Sequence, residues 1–282
     1  MGLNADAVGQ KTEPIEHTYD FRDLALYALG IGATVDDLDF LYEARGPKVF
    51  PTYAVVPAFE ANAKLFDAVG GDLSGVVHGS QKITMHKPFP PEGTVTTVGE
   101  VANIGDLKRM AQSTVRTETR DADGELICET EWIIMYLKDG GFGGVAPPRS
   151  KKVRPPEREP DWVVETKTAP EQALLYRLGS FDMNPLHADP AAAMKAEKIT
   201  KGKPILHGLC TYGVVARAIL QKECDNDPSK LKTFFGRFSK PIWPGETIVT
   251  EGWREEDRIV VRAATAERPT EHIFTNAYAE LV

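Results

Sequence analysis

Tyr176-Arg177-Leu178-Gly179-Ser180-Phe181-Asp182-Met183-Asn184-Pro185-Leu186-His187 opens with four residues that echo an earlier run, Tyr27-Ala28-Leu29-Gly30, 149 positions upstream. A second echo follows in the same order. Lys87-Pro88-Phe89-Pro90-Pro91-Glu92-Gly93-Thr94 matches Lys240-Pro241-Ile242-Trp243-Pro244-Gly245-Glu246-Thr247 at an offset of 153. Two matches at nearly one offset point to a duplicated domain. Each copy reads as a helix followed by antiparallel strands, an α+β unit with a sheet wrapped on a helix.

The copies part company where chemistry would sit. Asp182, Asn184 and His187 place an acid, an amide and an imidazole within six residues. Pro185 lacks an N–H and disfavours helix at Asn184, so these side chains belong on a turn. Asp189-Pro190 then reads as N-cap and first helical position ahead of an alanine run. Sliding the first copy along puts Ala33 opposite Asp182 and Leu38 opposite His187. One copy is read as active and the other as degenerate.

Patterning supplies the other elements. Helices are expected over 19–30, with Asp20 as N-cap, and over 58–69, 170–178, 190–198 and 206–222. Strands are expected over 82–87, 95–104, 110–120, 126–137, 233–240, 247–254, 258–266 and 272–281, with a turn at Asp121-Ala122-Asp123-Gly124. Glycine, proline and charge mark a linker. The domains are read as a degenerate repeat over 1–145, a linker over 146–164 and a catalytic repeat over 165–282.

With 41 acidic against 33 basic residues, the net charge of −8 argues against nucleic-acid binding. No run is long enough to span a bilayer, and the first residues lack the basic and apolar regions of a signal peptide. Cys128, Cys210 and Cys224 are widely spaced without a CxxC pair, which fits a reducing compartment and burial. His78 and His86 have no third partner at metal-binding spacing, so no metal site is read.

The segment from Tyr176 to His187 resembles the hydratase 2 motif of the (R)-specific 2-enoyl-CoA hydratases, the MaoC-like branch of the hot-dog fold. Pro204-Ile205-Leu206-His207-Gly208-Leu209-Cys210-Thr211, Phe238-Ser239-Lys240-Pro241 and the block Gly140–Gly144 are also typical of that branch. The layout is similar to the hydratase 2 unit of peroxisomal multifunctional enzyme type 2. The resemblance implies a double hot-dog fold and addition of water to trans-2-enoyl-CoA, giving (3R)-3-hydroxyacyl-CoA, in fatty-acid β-oxidation or related metabolism. In one respect the chain departs from the motif: Phe181-Asp182 stands where a Gly-Asp pair is usual, with Gly179-Ser180 before it.

That reaction needs a base for water, a proton for the α-carbon and donors to the thioester oxygen. His187 suits the base because an imidazole is largely neutral at pH 7. Asp182 is expected to supply the proton and Asn184 to orient water. Gly208, at the expected start of a helix, offers a free N–H to the thioester. The resemblance also implies that His78, Gly79, Lys108, Phe181, Met183 and Phe238 contact the substrate. His207 reads as a capping or packing residue, and the basic run Lys198–Lys203 as an ordinary exposed loop. No cofactor is implied, since CoA belongs to the substrate. A homodimer is expected from open strand edges. The location is cytoplasmic in a bacterium and peroxisomal in a eukaryote, although the C-terminus carries no SKL-type signal. An acyl-CoA thioesterase and a non-catalytic acyl-CoA-binding subunit are the competing readings.

Overall fold

The first strand is one that the sequence reading passed over, β1 (Ile15–Tyr19), which buries its two ends and exposes Glu16 and Thr18 between them. The computed structural model describes residues 2–148 and 152–282. Positions 149–151 of the expected linker lie outside the described residues. Helix α1 (Phe21–Gly30) follows, capped as expected by Asp20, whose box is completed by the Asp23 carboxylate. A short helix α2 (Leu38–Leu41) leads to the long helix α3 (Val55–Val69). That helix starts three residues before the predicted Ala58, because Pro57 falls in the first turn, where a missing N–H costs no helical bond.

Four strands complete the first copy: β2 (Val76–Met85), β3 (Gly93–Asp106), β4 (Ala111–Arg120) and β5 (Leu126–Tyr136). The second copy repeats the order. It runs through β6 (Trp162–Lys167), α4 (Gln172–Ser180), α5 (Pro190–Lys195), α6 (Glu197–Thr200), α7 (Gly208–Glu223), β7 (Leu231–Phe238), β8 (Thr247–Arg254), β9 (Ile259–Thr265) and β10 (Phe274–Leu281). Strand β6 begins at Trp162, inside the stretch read as linker, so the second repeat is already under way there.

All ten strands form one antiparallel sheet in the order β1-β3-β4-β5-β2-β7-β10-β9-β8-β6. From the centre outward each half has the same order, so the sheet is two five-stranded units joined where β2 pairs with β7. This is the layout expected of the double hot-dog fold. α3 packs on the first half of the sheet, while α7 reaches both β7 and β8 of the second half and β2 of the first. Twelve of the sixteen α7 residues are buried, which places this helix in the core. The two proline-rich echoes are the links from β2 to β3 and from β7 to β8, and each buries its central apolar residue, Phe89 and Ile242.

The tetrapeptide echo has a packing reason. Helices α1 and α4 lie against each other. A Cβ added to Gly30 would stand 2.9 Å from Tyr176 Cα, and one added to Gly179 would stand 2.6 Å from Tyr27 Cα. Each glycine admits the backbone of the other copy's tyrosine, and the two buried rings meet at 6.0 Å between centroids. A buried ion pair adds a second tie between the copies. Arg217 on α7 donates to Asp37 Oδ2 at 3.1 and 2.6 Å, and Thr34 N–H donates to the same carboxylate. The three cysteines are buried and free.

Candidate active site

The turn from Ser180 to His187 is built by its own side chains. Ser180 Oγ accepts from Asp182 N–H, Asp182 Oδ1 accepts from Asn184 N–H, and Asn184 Oδ1 accepts from Leu186 N–H, at 3.3, 3.1 and 3.0 Å. Three side-chain-to-backbone bonds at i to i+2 thus hold a chain that Pro185 keeps out of α-helix. One 3-10 turn, Pro185–His187, follows. Arg177 on α4 reaches over the turn and donates to the Met183 carbonyl at 3.0 Å.

Phe181 ends α4 in the left-handed region, with φ 59°. This is the position after a helix where glycine is free of the Cβ penalty. The departure from the usual Gly-Asp pair therefore leaves the backbone course intact, with phenylalanine held in glycine's conformation. Its half-exposed ring packs edge-on against His17 of β1 at 5.8 Å, so the turn faces the first copy.

His187 Nδ1 lies 2.9 Å from the Ile205 carbonyl. A carbonyl only accepts, so Nδ1 carries the hydrogen and Nε2 keeps its lone pair. Burial pushes the pKa of this imidazole down, against the pull of the Asp182 charge and the Ile205 bond. His207 stacks on His187 with 3.8 Å between centroids. Its Nε2–H donates to the Asp182 carbonyl at 3.3 Å, and its buried Nδ1 has no protein partner among the described residues. Burial, with His187 beside it, holds His207 well below the ordinary imidazole range. Both rings are neutral bases at pH 7.

Asp182, His187 and His207 each offer an oxygen or nitrogen, all within 4.8 Å of one another. By residue type this trio could ligand a cation. The two rings stand 27° from parallel. A carboxylate beside two neutral imidazoles also suits proton transfer.

Gly208 is the first residue of α7, directly after His207, so its N–H has no intrahelical acceptor. Its α-carbon faces Phe238, whose ring would be 3.3 Å from an added Cβ. Phe238 in turn meets His78 at 4.8 Å, and His78 stacks on Trp132 at 5.1 Å. Gly79 is the bulged residue that interrupts the pairing of β2 with β5, and an added Cβ there would strike Met135 and the Ile133 carbonyl. The structure therefore brings Gly208, Phe238, His78 and Gly79 into one row. His78 donates to the Ser80 carbonyl, and burial lowers its pKa to about 4. Met183 is exposed on the same turn as Asp182. Asn184 is also exposed; its side-chain oxygen accepts from Leu186 N–H in the turn, and its NH2 is free to meet water. Lys108 sits in the turn between β3 and β4, bonded through its own N–H to Asp106, and no described contact joins it to the Asp182–His187 pair.

The chain matches the model of the MFE-2 hydratase 2 N-terminal domain over residues 17–137 and that of the MaoC-like domain over 151–275. It is 39% identical to 3-hydroxyacyl-thioester dehydratase Y of Mycobacterium tuberculosis, covering 94% of this chain and 93% of that one. It is 36% identical to the peroxisomal enoyl-CoA hydratase 2 of Arabidopsis thaliana, with 94% and 92% covered. The crystal structure of a MaoC-like dehydratase from Phytophthora capsici superposes with a TM-score of 0.88 at 30% identity, covering 99% and 98%. The chain belongs to the MaoC-like hydratase 2 family. As a member of that family it is an enzyme of the hydro-lyase class.

For this hydratase 2 chain, the site residue that sequence reasoning missed is His207. Its place beside Gly208 was visible, but the stack on His187 joins residues 20 positions apart. Only the return of the chain to the turn, fixed by the Ile205 carbonyl, reveals it.

Proposed function

We propose that the chain hydrates trans-2-enoyl-CoA reversibly to (3R)-3-hydroxyacyl-CoA. The convergence of Asp182 and His187 beside the start of α7 carries this reading. Water approaches the β-carbon and gives a proton to His187 Nε2, which its tautomer and lowered pKa keep available. Charge grows on the thioester oxygen as the new C–O bond forms. The Gly208 N–H, at the positive end of a sixteen-residue helix, meets that charge. The proton taken from water passes from His187 to the Asp182 carboxylate, within 4.8 Å, and Asp182 delivers it to the α-carbon, so both groups end as they began. Dehydration runs through the same roles reversed.

The acyl tail is assigned to the first copy. Support comes from Ala33 and Leu38, which stand where the second copy has its acid and base, and from Phe181, which faces β1. The assembly is proposed to be a homodimer, since β1 and β6 leave both sheet edges open. The compartment is the cytoplasm in a bacterium and the peroxisome in a eukaryote, and the physiological setting is acyl-CoA metabolism such as β-oxidation. No helix among the described residues is long and apolar enough to cross a membrane.

Incubation with crotonyl-CoA and with a long-chain enoyl-CoA, followed by chiral analysis of the products, tests the reading. Loss of enoyl absorbance with formation of the 3R alcohol is expected. Release of free thiol without loss of the alkene would instead mark a thioesterase.

A further inference from the structure

The proposed reaction uses both ends of the segment between α4 and α7 and leaves its middle unexplained. Counted from the matched glycines Gly30 and Gly179, this segment is residues 31–54 in the first copy and 180–207 in the second, and the helix starts that follow, Val55 and Gly208, are offset by 153. The offset grows from 149 to 153 inside it, so the active copy carries four extra residues here. It also carries Lys195, Lys198, Lys201 and Lys203, all exposed. None of the four makes an ion pair among the described residues, although the protein has an excess of acidic groups. Asp189, the N-cap of α5, and Glu197, at the start of α6, are the acids in the same stretch.

The stretch is built rather than loose. Buried Thr200 donates through Oγ1 to the Ala193 and Ala196 carbonyls at 2.6 and 3.1 Å and accepts from Gly202 N–H. Its carbonyl accepts from Trp243 Nε1 at 3.0 Å. Lys201, in the left-handed region at φ 53°, lies over the Trp243 ring at 5.1 Å. Arg268 lies over the same ring at 4.9 Å. The segment leaves the site at His187 and returns to it at Ile205 and His207, so the lysines are carried on a loop anchored at both ends to the acid and base.

We infer that Lys195, Lys198 and Lys203 hold the phosphates of the CoA carrier, with Lys201 fastening their loop to Trp243. This rests on the acyl-CoA reading above. A polyanion approaching an acidic protein needs a local cationic surface, and a thioester in the site leaves its phosphates at the far end of the pantetheine arm. Flexible, unpaired ammonium groups serve as point charges for such oxygens. The shared fixing of His187 and this loop by residues 204–207 keeps the grip and the chemistry in register.

The test compares the full chain with the triple variant Lys195→Gln/Lys198→Gln/Lys203→Gln and with the corresponding triple Arg variant. Free CoA binding is read by calorimetry, and KM is read with crotonyl-CoA and crotonyl-pantetheine. Expected is a CoA affinity about tenfold weaker in the Gln variant at low salt, fading as salt rises. The ratio of the two KM values should rise about as much, and the Arg variant should retain both. Unchanged CoA affinity, an equal penalty on crotonyl-pantetheine, or a loss confined to an acyl-carrier-protein thioester would overturn the inference. A parent chain that binds CoA through these lysines but hydrates no enoyl-CoA would sink the reaction and leave the phosphate site standing.

Discussion

His207 lies face to face on His187, and the two buried rings point their protons at different backbone carbonyls, Asp182 for the one and Ile205 for the other. Each carbonyl selects a tautomer, and burial keeps both rings neutral. On the proposed mechanism the base is thereby set before substrate arrives. As that base His187 must be neutral, and its pKa is displaced downward, so kcat/KM for hydration should stay level as pH falls to the ordinary imidazole value near 6.5. The decline should come below it. Measured pH–rate profiles with an acid limb above pH 7 would contradict this.

Replacing His207 with Phe keeps the stack and removes the donor to Asp182. We expect kcat to fall about tenfold with KM little changed, in keeping with one hydrogen bond that holds a reacting group in place. Steady-state kinetics read the split. A rise in KM at constant kcat would mean that His207 only shapes the pocket.

Asp182→Asn retains the oxygen that accepts from Asn184 N–H, so the turn survives while the acid is lost. His187→Gln likewise removes the base. Each should lower turnover by roughly 10²–10⁴-fold, the span of general acid–base catalysis. Circular dichroism and thermal melts should match the parent. Near-parental turnover in either variant is the outcome the mechanism cannot absorb.

Gly30 and Gly179 invite a test of sign. By helix propensity alone, Gly179→Ala in α4 would stabilise by about 1 kcal/mol. The added methyl would instead press on the backbone of Leu26 and Tyr27, which has nowhere to go. Overpacking costs about 1–3 kcal/mol and should prevail. Urea denaturation of Gly179→Ala and Gly30→Ala should show lower midpoints, and a gain in either would remove the packing account of the repeated tetrapeptide.

Phe181 pays for its left-handed backbone. Phe181→Ala keeps the Cβ penalty and loses the contact with His17, whereas Phe181→Gly loses the contact and relieves the backbone. The glycine variant should therefore be the more stable of the two by about 1 kcal/mol. Equal stabilities would mean that the turn imposes no strain there.

The Asp37–Arg217 pair joins the copies across 180 residues. Asp37→Ala leaves a buried guanidinium unpaired and should cost about 3–5 kcal/mol, whereas Asp37→Leu with Arg217→Met should recover most of that loss. Chemical denaturation of the two variants decides it. A double variant as unstable as the single one would show that the pair does more than neutralise itself.

The duplication and the double hot-dog layout were legible because glycine and proline punctuate both copies alike, and because strand alternation is strong from β3 to β5. β1 escaped because it is a short edge strand with Glu16, His17 and Thr18 between its apolar ends, and β6 because its first residues fall in the stretch that proline and charge marked as linker. The start of β2 escaped because Gly79 and its bulge break the alternation around His78. At the site, Asp182, Asn184 and His187 could be read as a local group, since one turn carries them. His207 and the anchoring of the lysine segment by Trp243 depend on contacts that only the closed chain makes. Lys108, expected by resemblance to contact the substrate, lies in a hairpin turn tied to Asp106 and, through it, to the glycine block.

The pairing of β2 with β7 has an evolutionary consequence. Two separate copies would each need an edge that recognises its twin, so a change to that edge would act on both partners at once. With both edges on one polypeptide, each gene half answers for its own side of the seam. On the proposed roles, one half can do without an acid and base while the other carries the longer loop, because neither feature has to be tolerated twice in the same molecule.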